Sequence, residues 1–341
     1  MIQIHGGNYY HDNDLLDFSA NINPLGMPEH VREAVIRSAC LWEQYPDPDC
    51  TALVRKLSEV EQIPENQIVC GNGAADLIYR IVQAFRPERA LICAPSFGEY
   101  DKALHDIHCR IDYFYLHPEE NFSLTDRFLS EIKPGTDMLF LCSPNNPTGR
   151  VINHMLLKQI ADICLKRNIL CICDECFLDF CDGISMKTYL NRNIMILKAF
   201  TKIFAMPGLR LGYLLAGSPE DAARVGHSGQ YWSVSAPAQA AGLAALKEQE
   251  FISKTRQYIR TEKTYLMSEF EKLNIRYFPS DVNFILFCSE PGLDDLLLKE
   301  RILIRNCQSY HGLSDSYFRT AVRTHEENQR LLCAVRRCLH G

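Results

Sequence analysis

The sequence predicts an α/β fold: a large domain with a mostly parallel central sheet between helices, followed by a smaller α+β domain. Short apolar runs alternate with helical segments from about Gln67 onward, the pattern of successive strand–helix units. The runs are rich in Ile, Leu, Val and Cys and are mostly apolar on both faces, as strands covered by helices on two sides must be. After about Trp232 this regular alternation gives way to long helical stretches and shorter mixed segments.

In chain order, residues 1–40 read as an N-terminal arm joining the small domain, 41–230 as the large domain and 231–341 as the small C-terminal domain. The expected strands of the large domain are Gln67–Cys70, Ala90–Ala94, Arg110–Tyr115, Met138–Cys142, Ile169–Cys173, Ile194–Lys198 and Gly212–Ala216. Helical periodicity covers Ala74–Phe85, Leu124–Ile132 and Met155–Lys166, with Ser123 and Asn153 where N-caps belong. The small domain opens with an Ala-rich helix, Ala236–Gln249, and an amphipathic one, Phe251–Leu273. The segments Arg276–Pro279, Asn283–Cys288, an acidic helix near Leu293–Glu300, Ile302–Asn306 and Tyr317–Val322 follow, and a helix over Glu326–Leu339 closes the chain.

Composition narrows the functional classes. Hydrophobic residues make up 47% of the 341 and charged residues 23%, ordinary values for a globular protein able to bury a full core. A net charge of −6 without a long basic run argues against a nucleic-acid partner. The longest apolar stretches, such as Ile194–Leu197, are far too short to span a bilayer. Met1–Gly7 has neither the basic nor the apolar region of a secretory signal, so a cytoplasmic protein is expected. The 15 cysteines are scattered through strand-like runs, as Cys70, Cys93, Cys142 and Cys288 are, and read as buried reduced thiols. Cys171, Cys173 and Cys176 lack the paired spacing of zinc ligands, and no metal is expected.

Four segments carry chemistry. Lys202 lies in Ala199-Phe200-Thr201-Lys202, with Pro207-Gly208-Leu209-Arg210 following. Asp174 ends an apolar strand, where ligands of open α/β sheets sit. Ser143-Pro144-Asn145-Asn146-Pro147-Thr148-Gly149 must be a tight turn, which can aim Asn146 at a ligand. Gly71-Asn72-Gly73-Ala74-Ala75-Asp76 joins a strand to a helix and offers backbone N–H groups to a phosphate. An amine, a strand-end carboxylate, a turn amide and an arginine together fit pyridoxal phosphate (PLP). The lysine forms the Schiff base, Asp174 keeps the pyridine nitrogen protonated, and Arg210 pairs with the phosphate. Phe97, after Ala94-Pro95-Ser96, is placed to stack on the ring. A dinucleotide cofactor is disfavoured because the third glycine of its fingerprint is missing. Arg319 and Arg323, four residues apart on one expected strand, would share a face and could anchor an anionic substrate.

These motifs resemble the fold-type I PLP enzymes, in the class I/II aminotransferase group close to the histidinol-phosphate aminotransferases. His5-Gly6-Gly7-Asn8, Ser19-Ala20-Asn21-Ile22-Asn23-Pro24, Tyr45-Pro46-Asp47 and Phe318-Arg319-Thr320-Ala321-Val322-Arg323 are most similar to the threonine-phosphate decarboxylase family within that group. The resemblance implies a fold-type I transferase fold and a PLP-dependent decarboxylation of a phosphorylated amino acid. It implies Lys202 and Asp174 as catalytic residues, with Gly73, Ala74, Ala75, Thr201 and Arg210 around the cofactor phosphate. Asn146 and Phe177 would lie at the ring oxygen, where many aminotransferases of the group carry Tyr in place of Phe177. Arg319 and Asn146 would meet the substrate, and His5, Asn21 and Arg323 are further candidate contacts to its phosphate. Tyr45 would reach the cofactor phosphate of the neighbouring subunit, so a homodimer is expected. The alternative is amino transfer to or from histidinol phosphate.

Overall fold

The computed structural model describes residues 6, 7 and 14–340. Twelve strands are present among them: β1 (Leu16–Asp17), β2 (Ile68–Gly71), β3 (Arg89–Ala94), β4 (Arg110–Tyr115), β5 (Met138–Cys142), β6 (Leu170–Asp174), β7 (Ile194–Ala199), β8 (Gly212–Ala216), β9 (Phe284–Cys288), β10 (Ile302–Leu303), β11 (Arg305–Asn306) and β12 (Tyr317–Ala321). Seven form one sheet in the order β2-β8-β7-β6-β5-β3-β4. Neighbours from β7 through β4 pair parallel, and only β8 runs against the rest. A second sheet, β11-β12-β9, is antiparallel, and β1 pairs parallel with β10, tying the N-terminal segment to the C-terminal part of the chain.

The central strands of the large sheet are buried on both faces because they are almost wholly apolar. Leu139, Leu141, Cys171, Cys173, Ile194 and Ile196 pack with side chains of the helices His154–Arg167 and Ala236–Ala245. Their alternates Met138, Phe140, Ile172, Met195 and Leu197 pack with the helices Ala74–Phe85 and Gly98–His105. The helix His154–Arg167 starts where Asn153 accepts a hydrogen bond from the Met155 N–H at 2.8 Å, and it stops at Asn168 in the left-handed conformation. All fifteen cysteines are free thiols. No helix among the described residues is long and apolar enough to cross a membrane.

Two sequence expectations fail locally. The helix over Leu124–Ile132 shrinks to Phe128–Glu131, and Ser123 caps nothing. Asn121 and Phe122 both have positive φ, and the chain runs through turns until Phe128 drops into the core. The Ala-rich stretch breaks after Ala245, and a separate helix spans Gln249–Lys272.

One buried charge cluster braces the sheet from behind. Glu61, at the end of the helix Thr51–Glu61, meets Lys187 at 2.6 Å, Lys198 at 3.1 Å and the Tyr213 hydroxyl at 2.6 Å. Burial alone would raise its carboxyl, but the Lys198 charge and the hydrogen bonds from Lys187 and Tyr213 outweigh this and lower it from 4.5 to about 2. Because the folded value is depressed, the stability Glu61 lends is full above pH 4.5 and is lost as pH falls through about 2. Glu61→Gln strands two lysine charges and should destabilise the fold by about 3 kcal/mol at neutral pH. Chemical unfolding of both proteins across pH checks this. The gap should close in acid, and equal stability at pH 7 would contradict the assignment.

Candidate active site

Parallel strands expose their C-terminal ends along one edge, and the loops leaving that edge build the site. The turn after β2 supplies Gly73, Ala74 and Ala75, the loop after β3 supplies Phe97, and the turn after β5 supplies Asn146. Asp174 is the last residue of β6, and Thr201 and Lys202 follow β7 directly. These residues, with Phe177, Arg210, Asn21 and Arg319, line one cavity of about 340 Å³. Twelve of the fifteen residues singled out from sequence thus converge on one space.

The remaining three do not. Tyr45 is 78% exposed and stacks on Trp232, with ring centroids 4.2 Å apart. His5 lies outside the described residues. Arg323 is a correction to the shared-face expectation: β12 ends at Ala321, and the chain turns into the helix His325–His340. The Arg323 N–H donates to Asn328, and its guanidinium donates to Glu327 at 2.7 Å and to the Asp17 carbonyl at 2.9 Å. Its charge is already met, and it does not line the cavity.

At one end of the cavity, the helix Ala74–Phe85 begins with Gly73 at φ +82°. A Cβ there would lie 2.7 Å from Arg210 Nη2, so only glycine lets the guanidinium close over the free N–H groups of the first turn. That is a cradle for a dianionic phosphate. At the other end Asp174 is buried, accepting from the Tyr100 hydroxyl at 2.5 Å and from the Cys176 N–H at 2.9 Å. Burial raises its carboxyl, opposed by those hydrogen bonds. A ligand cation such as a pyridinium would restore the charged form. Tyr100, itself stacked on Phe140 at 4.9 Å, is a support that no local sequence pattern singles out.

Lys202 opens onto the cavity between these ends. Burial, followed by the nearby Arg319 and Arg210 charges, lowers its amine from 10.5 to about 8, although Cys176 opposes the shift. An amine near that value is partly neutral at physiological pH and can act as a nucleophile. Its backbone is clasped: Asn23 N–H donates to the Lys202 carbonyl at 3.1 Å, and Asn23 Nδ2 donates to the Ile203 carbonyl at 2.7 Å. The Ser-Ala-Asn-Ile-Asn-Pro segment therefore holds the lysine turn.

Arg319 is 5% exposed. It donates Nη2 to the Ser19 carbonyl at 2.7 Å and Nη1 to Asn146 Oδ1, while Nε has no partner. Asn21 Oδ1 is likewise buried without a partner. Register places Arg305 directly opposite Arg319 across β11 and β12, and Arg305 is fully buried with its guanidinium 5.6 Å from the Tyr310 ring. Tyr310 escaped sequence reading, since only the fold of the loop after β11 brings it to the cavity. The chemistry of the donor set fits PLP: an amine, a phosphate cradle, a buried acceptor for the ring nitrogen and Phe97 on the wall.

Comparison with known proteins agrees with this geometry. Residues 13–335 match the family described as aminotransferase class I and II. Threonine-phosphate decarboxylase of Salmonella typhimurium is 40% identical over 334 residues, covering 96% of this chain and 92% of that one. The adenosylcobalamin biosynthesis bifunctional protein CobDQ of Leptospira interrogans is 33% identical over 99% of this chain, which spans 41% of its length. Among solved structures, histidinol-phosphate aminotransferase from Clostridium acetobutylicum superposes with a TM-score of 0.88 at 30% identity, covering 95% of this chain and 99% of that one. With residues 13–335 matched, the chain belongs to the class I and II aminotransferase family.

Proposed function

We propose that this chain is a PLP-dependent decarboxylase acting on L-threonine O-3-phosphate, releasing CO2 and (R)-1-aminopropan-2-yl phosphate in cobalamin biosynthesis. The observation that carries the reading is Arg319, buried on the wall of the cavity that Lys202 also lines. Arg319 retains an unpartnered Nε, and Arg305 stands across the ladder from it. A substrate with a carboxylate at Cα answers the Arg319 cation. Histidinol phosphate has no carboxylate at that carbon. The 40% identity to a threonine-phosphate decarboxylase and the match to a cobalamin-biosynthesis protein support the same choice.

Bound PLP would supply an electron sink for the bond broken at Cα. Gly73, Ala74, Ala75, Thr201 and Arg210 would hold its phosphate, Phe97 would cover the ring, and Asp174 would face the ring nitrogen. Asn146 would lie at the ring oxygen beside the apolar Phe177, which offers no hydroxyl. Arg319 would hold the substrate carboxylate, and Asn21 would face the substrate's polar end. Lys202 Nζ, poised near pH 8, can carry a proton and return it to the carbon that has lost its carboxylate. Protein walls around Lys202 and Asp174 keep water from competing.

The expected division at about residues 40 and 230 is supported by the sheets, since the large sheet is drawn from residues 68–216 and the antiparallel one from 284–321. Free thiols throughout fit the reducing cytoplasm. Tyr45, Tyr231, Trp232, Trp42 and Leu41 form exposed apolar surface of the kind that a second copy covers, which supports the homodimer with Tyr45 serving the neighbouring site.

Incubation with PLP and L-threonine O-3-phosphate, without any oxo acid, should release CO2 and the amine phosphate in equal amounts. Turnover only of histidinol phosphate with 2-oxoglutarate would replace this reading with amino transfer. Separately inactive Tyr45→Ala and Lys202→Ala proteins, mixed and allowed to exchange subunits, should recover about a quarter of wild-type activity, because each mixed dimer holds one intact site. No recovery despite verified exchange would place Tyr45 outside the shared site.

A further inference from the structure

The loop of residues 307–316 leaves β11 and returns through β12, yet its tip rests on the large sheet. Tyr310 lines the cavity. Its hydroxyl donates to Asn146 Oδ1 at 3.2 Å and accepts from Arg319 Nη1 at 3.3 Å. The next residue, His311, packs on Tyr113 of β4 with ring centroids 4.7 Å apart. Its Nε2 lies 3.6 Å from Asp101, an electrostatic contact rather than a hydrogen bond. Asp101 belongs to the helix Gly98–His105, which starts immediately after Phe97, and it also faces His105 at 3.4 Å and the Tyr113 hydroxyl. Gly312 follows at φ +84°, so close to Tyr115 that an added Cβ would lie 3.0 Å from its ring. Three consecutive residues thus send a phenol into the cavity and pin the loop to the opposite wall.

The bond that breaks at Cα is the one held perpendicular to the cofactor ring, so the angle of the carboxylate holder decides between loss of CO2 and loss of a proton. Arg319 Nη2 is fixed by the Ser19 carbonyl, and Nη1 is fixed between Asn146 and Tyr310. Removing the phenol frees Nη1 on one side and lets the guanidinium turn. We propose that Tyr310 is a positioning residue that sets the angle of Arg319 and so commits the site to decarboxylation, with His311 latching its loop to the large sheet. This rests on the decarboxylase reading above.

Tyr310→Phe keeps the ring beside Arg305 and removes only the hydroxyl. It should lower kcat for CO2 release about tenfold, the scale of one hydrogen bond to a charged group, with a smaller change in KM. The ratio of CO2 to 2-oxo acid should fall, because more substrate loses its Cα proton and passes its amino group to the aldehyde carbon of the cofactor. His311→Ala should speed amide hydrogen exchange across residues 308–313 in the enzyme as purified, while the cofactor absorbance stays that of wild type. An unchanged product ratio in Tyr310→Phe, or unchanged loop exchange in His311→Ala, overturns the inference while leaving the decarboxylase reading intact. No CO2 from the wild-type enzyme removes that reading and this inference together.

Discussion

The site is organised by an imbalance of charge in a protein-walled space. Lys202, Arg210 and Arg319 line a cavity whose one lining carboxylate among the described residues, Asp174, is engaged by Tyr100 and the Cys176 N–H. Among the described residues none of the three cations has a carboxylate within 4.0 Å. Holding them together costs free energy, and Lys202 shows it by giving up its proton more readily than a free lysine. A ligand with a phosphate, a protonated ring nitrogen and an aldehyde answers the cradle, the aspartate and the amine in turn.

The backbone makes this arrangement possible at low cost. Parallel strands place several loop starts along one edge, so five sequence-distant turns meet without long excursions. The clasp from Asn23 to the Lys202 and Ile203 carbonyls, and the pairing of β1 with β10, bring the N-terminal segment and the antiparallel sheet to the same mouth. Behind the site, Lys187 and Lys198 both reach Glu61, and Asp179 and Glu175 also act on Lys198, whereas Lys202 at the cavity has no ion-pair partner among the described residues. This division between structural and reactive lysines follows from which carboxylate each one reaches.

Much of this was legible in the sequence because local rules and tertiary structure agree there. Arg110–Tyr115, Met138–Cys142 and Gly212–Ala216 read as strands to the residue, and Met138–Cys142 shows why: a parallel strand buried on both faces must be an apolar run. Lys202, Asp174 and Asn146 stand at strand ends, where spacing alone exposes them. Arg323 misled because a two-residue period was carried past the end of β12, where the following helix captures the side chain through Glu327. Tyr100 and Tyr310 act through partners 74 and 164 positions away in the chain, and no local pattern announces such contacts.

The fold prepares Lys202 as a nucleophile before any cofactor arrives. The most direct test is the pH dependence of PLP capture by cofactor-free enzyme, followed by absorbance, with Lys202→Ala as the blank. Only the neutral amine attacks, so the capture rate should rise with pH and level off through an apparent pKa of about 8. A rate still climbing steadily toward pH 10.5, the ordinary lysine value, would show that the cavity does not perturb the amine and would contradict the account.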